Sequence, residues 1–78
     1  MQRLGELIRY HRKRSALTQA ELAELAGVGK NLVHELEKGR HNVRLDKLLP
    51  VLQVLNITLD FSSPLRESFL REYPDAHR

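Results

Sequence analysis

Seventy-eight residues, with 13 Lys and Arg against 10 Asp and Glu and a formal charge of +3, allow one small domain, near the size at which a single core only just stabilises a fold. The chain has no cysteine, which excludes disulfides and thiolate metal sites, and His11, His34, His41 and His77 lack the i, i+4 spacing of a zinc-binding pair, so neither metal nor other cofactor is expected. No apolar run approaches the ~20 residues of a membrane span and the start MQRLGELIRYHRKR has no apolar signal core, so a soluble, cytoplasmic chain is expected.

From Gln2 to about Ser15, Leu4, Leu7, Ile8 and His11 fall on the i, i+3, i+4 stripe of an amphipathic helix. Its far end carries Arg9, Arg12, Lys13 and Arg14, where cations suit the helix dipole and a neighbouring phosphate equally. Thr18 and Glu21 then form a capping box, Thr-Gln-Ala-Glu, that starts a second helix at Gln19. Ala20, Leu22, Ala23, Leu25 and Ala26 make that helix apolar and narrow, open to close approach by a neighbour. Gly27 stops it in a left-handed turn, and Gly29 is a permissive cap for the next helix.

The third helix, Lys30 to about Lys38, has a legible wheel. With Val33 at zero, Leu36 lies about 60° to one side and Glu37 about 40° to the other, so Val33 and Leu36 face the core. Asn31, His34, Glu35 and Lys38 take the opposite, wholly polar face. A polar helix placed after a capped, alanine-rich one and a tight turn has the character of a major-groove reader. Gly39 ends it, and Arg40, His41, Asn42 and Arg44 form a polar loop within reach of a phosphate.

Leu45 to Leu55 is a fourth helix, apolar through Leu45, Leu48, Leu49, Val51, Leu52, Val54 and Leu55. So much apolar surface predicts burial on two sides, the second against a dimer partner. Pro50 would cost roughly 3 kcal/mol in a helix interior, so a cap at Asp46, or a kink, is preferred to a start at Leu45. Asn56 closes the helix. Ile57-Thr58-Leu59-Asp60-Phe61 alternates with the period of a strand, and a lone strand predicts pairing with its mate across a two-fold axis. After the breaker Ser62-Ser63-Pro64, Leu65, Phe69 and Tyr73 fall at i, i+4, i+8 of a short last helix, either docking a partner or covering the dimer sheet. The tail, residues 75–78, is expected to be disordered.

The run LTQAELAELAGVGKNLVHELEKG, with the helix before it and RLDKLLPVLQVL after it, resembles the helix-turn-helix domain of lambda-type and XRE-type repressors. The extension NITLDFSSPL resembles, more narrowly, HipB-type antitoxins. The expected fold is mainly all-α: a lambda-repressor-like domain of four to five helices at 1–56, a dimerisation strand at 57–63, and a short helix and tail at 64–78. Leu52, Leu55, Ile57, Leu59 and Phe61 are the expected dimer contacts.

The resemblance implies roles for individual residues. Lys30 and Asn31 match the first base-contacting positions, Asn31 suited to adenine and Lys30 to guanine. His34 and Glu35 match later reading positions, where Glu35 suits the cytosine N4 donor and repels phosphate. Gln19 matches a position that touches the DNA backbone and braces the reading helix; Thr18, Lys38, Arg40 and Arg44 are further expected backbone contacts. Arg12 and Glu37 match an internal salt bridge between the first and third helices. Leu32 departs from the family pattern and either extends the core or meets a thymine methyl.

The function so implied is that of a dimeric, sequence-specific repressor of a palindromic operator in double-stranded DNA, most like an antitoxin that represses its own operon and binds a HipA-type kinase toxin. Two other readings stand beside it: a phage-type or general regulator without a toxin, and a protein-interaction module that binds no DNA. Enzyme activity is not expected, because no nucleophile and base share a motif and no glycine-rich phosphate loop is present.

Overall fold

Local signals set where each helix begins and ends. In the computed structural model, which describes residues 2–40, 42–60 and 62–73, they give five helices: α1 (Gln2–Arg14), α2 (Gln19–Ala26), α3 (Lys30–Glu37), α4 (Leu45–Val54) and α5 (Arg66–Glu72). The capping box of α2 is complete. The Glu21 amide donates to Thr18 Oγ1 at 3.0 Å and the Thr18 amide to Glu21 Oε1 at 2.8 Å, so two orphan donors are satisfied reciprocally. Hydrogen bonding from the Thr18 amide, and secondarily from the Thr18 hydroxyl, holds the Glu21 carboxyl below the usual glutamate range.

The first four helices end alike, in a left-handed residue whose successor's amide reaches back five residues. The left-handed residues are Ala16 (φ 57°), Gly27 (72°), Gly39 (86°) and Asn56 (58°). The reaching bonds are Leu17 to Arg12, Val28 to Ala23, Arg40 to Glu35 and Ile57 to Leu52, at 2.9–3.1 Å. Asparagine tolerates this conformation, whereas at Ala16 the Cβ opposes it.

One core joins α1 to α4. Ile8, Leu22, Val33 and Val51 are fully buried, with Ala23, Leu36, Leu48, Leu52 and Leu55 beside them. Leu4, Leu17, Leu32, Val43, Val54 and Ile57 close its margin. Gly5 lets α1 lie directly on the end of α3: a Cβ there would overlap the Leu36 carbonyl oxygen and stand 3.0 Å from that of Glu37. α5 contributes no buried residue. The Cα radius of gyration is 14.6 Å, above the ~11–12 Å of a compact chain this long. The longest dimension is 43 Å against 22 and 21 Å, as expected where α5 extends the four-helix body without thickening it.

The expected C-terminal strand does not form. No strand is present among the described residues, Ile57–Asp60 run without regular structure, and the fold is all-α. A strand needs a second edge to complete its ladder, and within one chain there is none. The Ile57 amide is instead used to end α4, donating to the Leu52 carbonyl. The apolar members of the run then divide: Ile57 packs on the core margin, and Leu59 remains 51% exposed. Phe61, His41 and the tail at 75–78 lie outside the described residues, and with them the contacts and disorder expected there.

α4 also departs from expectation. Arg44, not Asp46, is the cap (φ −69°, ψ 140°), and Pro50 lies inside a helix that runs on to Val54. Proline withholds the amide that would bond the Asp46 carbonyl. Because Asp46 is exposed, water can reach that turn and soften the loss.

Candidate DNA-binding face

The orientation of α3 is set by its buried side. Val33 and Leu36 enter the core, which leaves Lys30, Asn31, His34 and Lys38 exposed along the other side. Leu32 is half-buried and packs on the core margin, so it extends the core side of α3.

A second restraint is polar. Arg12 Nε donates to Glu37 Oε2 at 2.6 Å and Arg12 Nη2 to Glu37 Oε1 at 3.0 Å, with the two side chains only 10% and 4% exposed. The remaining Arg12 nitrogen, Nη1, donates to the Leu17 carbonyl at 2.8 Å. Gln19 Nε2 donates to Glu37 Oε1 at 3.2 Å. One carboxylate therefore ties the end of α3 to α1 and to the first residue of α2. Hydrogen bonding to Glu37 raises the Arg12 pKa above its ordinary value, against the opposing effect of burial. Among the described residues no buried side-chain polar atom lacks a partner, as a low-dielectric network requires.

Of the other expected site residues, Thr18 is exposed at the start of α2, its hydroxyl oxygen accepting from Glu21. Glu35 pairs with Arg40 across the end of α3, and Arg44 pairs with Asp46 at 3.0 Å. Asn31, Glu35, Arg40 and Asn42 line one shallow hollow beside the polar face. Leu52 and Leu55 are 1% and 5% exposed, within the chain's own core. The exposed apolar side of α4 consists instead of Leu45 and Leu49.

Several features of the site escape a reading of the sequence. Gly5 has no signal, because its need for a bare Cα arises only when α3 arrives. The Glu35–Arg40 pair spans a glycine at i, i+5, outside helical spacing. Arg14 and Tyr10 are an ordinary i, i+4 pair: Arg14 Nη1 donates to the Tyr10 hydroxyl at 3.1 Å, and its guanidinium lies 5.7 Å from the ring centre.

Among the described residues no helix is long and apolar enough to cross a membrane, and no cluster of three or more acidic or histidine side chains could hold a metal ion.

Comparison with known proteins agrees with this geometry. The sequence model of the family described as "Helix-turn-helix domain" matches residues 3–60. An uncharacterized HTH-type transcriptional regulator of Sinorhizobium fredii, y4mF, is 41% identical over 61 residues, covering 78% of this chain and 80% of the relative. A second uncharacterized HTH-type transcriptional regulator, from Methanothermobacter thermautotrophicus, is 54% identical over 39 residues, half of this chain and 56% of the relative. A solved structure, "MDT Protein", shares the fold with a TM-score of 0.71 at 22% identity, over 81% of this chain and 89% of that one. The chain belongs to the helix-turn-helix family of DNA-binding transcriptional regulators, a class without catalytic activity.

Proposed function

We propose that this regulator is a sequence-specific repressor that binds a palindromic operator as a homodimer, with α3 in the major groove. The observation that carries the reading is the division of α3: Val33 and Leu36 are buried, while Lys30, Asn31, His34 and Lys38 are exposed on the other side. Lys30 and Asn31 read bases, and Lys38, with Gln19 and Thr18 at the start of α2, contacts the backbone. A two-fold dimer places its reading helices ~34 Å apart, one turn of DNA. The exposed Leu45, Leu49 and Leu59 support self-association. The test is selection of a duplex from a randomised pool, followed by footprinting. Two inverted half-sites one turn apart are expected, and Lys30→Ala and Asn31→Ala should each weaken binding roughly 5- to 150-fold per half-site. A selected site without inverted symmetry, or binding insensitive to both substitutions, would overturn the reading.

The finer reading is an antitoxin that also binds a HipA-type kinase toxin. It is supported by the resemblance of Asn56–Leu65 to HipB-type antitoxins and by the exposure of Leu65, Phe69 and Tyr73, on and beside a helix that buries nothing. Truncation after Pro64 tests it. The shortened chain should keep DNA binding and lose co-purification with a kinase-like neighbour. Unchanged co-purification would overturn it.

A further inference from the structure

Glu35 and Arg40 carry opposite instructions toward DNA. A carboxylate on the reading face repels phosphate, whereas a guanidinium at the edge of that face attracts it. The fold joins them twice. Gly39, left-handed at φ 86°, turns the chain back so that the Arg40 amide donates to the Glu35 carbonyl at 3.1 Å. The Arg40 guanidinium then meets the Glu35 carboxylate, with the two side chains 67% and 39% exposed. Both line the hollow that also contains Asn31, one helical turn before Glu35 on α3, so Glu35 shares one surface with a base-reading residue and a phosphate-binding one.

We propose that Glu35 and Arg40 form an exchange pair that makes phosphate binding by Arg40 conditional on the base that Glu35 meets. Where the base within reach offers no amino group, or offers adenine N6 beside the acceptor N7 that repels a carboxylate, Glu35 stays on Arg40, and the pair, neutral overall, adds no phosphate contact. Where cytosine presents its N4 amino group, the major-groove donor that suits a carboxylate, Glu35 exchanges Arg40 for the base. Arg40 is then released to the backbone. An exposed ion pair is weak enough to exchange in this way. The result is a brake on non-specific binding that is lifted at the operator. This inference rests on the DNA-binding reading above.

The test is the salt dependence of binding to a duplex selected by the protein from a randomised pool and to its scrambled counterpart. Wild type, Arg40→Ala, Glu35→Gln and the double variant are compared. Each phosphate neutralised contributes about 0.9 to the slope of log K against log salt. A homodimer carries two copies of Arg40, so Arg40→Ala should lower the slope by about 1.8 on the selected duplex and leave it unchanged on the scrambled one. Glu35→Gln should raise the scrambled-duplex slope by about 1.8 and tighten that binding about 30-fold at about 0.15 M salt, two contacts per dimer, and Arg40→Ala should cancel the gain. If Arg40→Ala lowers both slopes equally, or neither, the exchange is overturned while the DNA-binding reading stands. Absence of salt-dependent binding by the wild type to either duplex overturns both. Arg40→Gln, which keeps the stem, replaces the alanine variant if that one loses its thermal transition.

Discussion

Replacing Glu37 by Gln removes one charge and almost no volume from the point where α1, α2 and α3 meet. The Arg12 guanidinium would stay buried, 10% exposed, with the Leu17 carbonyl as its remaining strong acceptor. Breaking a buried pair by neutralising one partner costs about 3–5 kcal/mol, because the other charge is left uncompensated. We take the lower end, about 3 kcal/mol, since Leu17 and the new amide oxygen still accept from Arg12. A chain of 78 residues has roughly 4–12 kcal/mol of stability in all, so a quarter or more would go. Urea unfolding followed by circular dichroism should show the midpoint falling by roughly 2–3 M, for a slope near 1–1.5 kcal/mol/M. The pair itself, against apolar replacement, is worth far less. Arg12→Met with Glu37→Leu should unfold within about 1 kcal/mol of wild type or be more stable. It should nevertheless bind DNA more weakly, because Gln19 loses its tie to α3. A cost below about 1 kcal/mol for Glu37→Gln, or a double variant as unstable as the two single losses added, would refute the account.

Three further expectations concern local geometry. Ala16→Gly should stabilise the fold by about 0.5–1 kcal/mol, since the left-handed turn at the end of α1 opposes a Cβ; an unchanged or lower melting temperature would contradict this. Gly5→Ala should destabilise by about 1–3 kcal/mol or more, because the new methyl meets the backbone of α3, which cannot turn aside as a side chain could; a stabilised variant would mean that α1 and α3 do not approach as closely as described. Glu21 should contribute a stability that is present above its unfolded pKa of about 4.3 and is lost as pH falls through its depressed folded value. In Glu21→Gln that acid-side loss should shrink, as read from unfolding midpoints across the acid range, and identical pH profiles for the two proteins would remove the cap from the explanation.

Much of the reading unit was legible because its signals are local. Thr18 and Glu21 start α2 through bonds that span three residues, and Gly27 and Gly39 end α2 and α3 through bonds that span five. The sides of α3 follow from helical period alone, since Val33 and Leu36 share a stripe that Asn31 and His34 do not. The Arg12–Glu37 contact lies beyond that reach. The wheel places Glu37 near the core but names no partner; the resemblance to repressors suggested one, and tertiary structure brings it within 2.6 Å.

Periodicity misled where it needed a neighbour to give it meaning. The alternation of Ile57 to Phe61 suits a strand, but a strand is a relation between two edges, and within one chain Ile57 uses its amide to end α4. The apolar excess of α4 does face two ways. Which leucines face which way depended on where α1, α2 and α3 lie, and that placed Leu52 and Leu55 inside and left Leu45 and Leu49 outside. Pro50 marked a local conflict, and the cap at Arg44 shows that packing outweighed it. What the sequence by itself determined is therefore the helices, both ends of α2 and α3 and the polar side of α3, because each depends on atoms within about one helical turn. Only the tertiary structure decided the fate of residues 57–60, the bare Cα at Gly5, and the meeting of Glu35 with Arg40, because each depends on where a second segment of chain comes to rest.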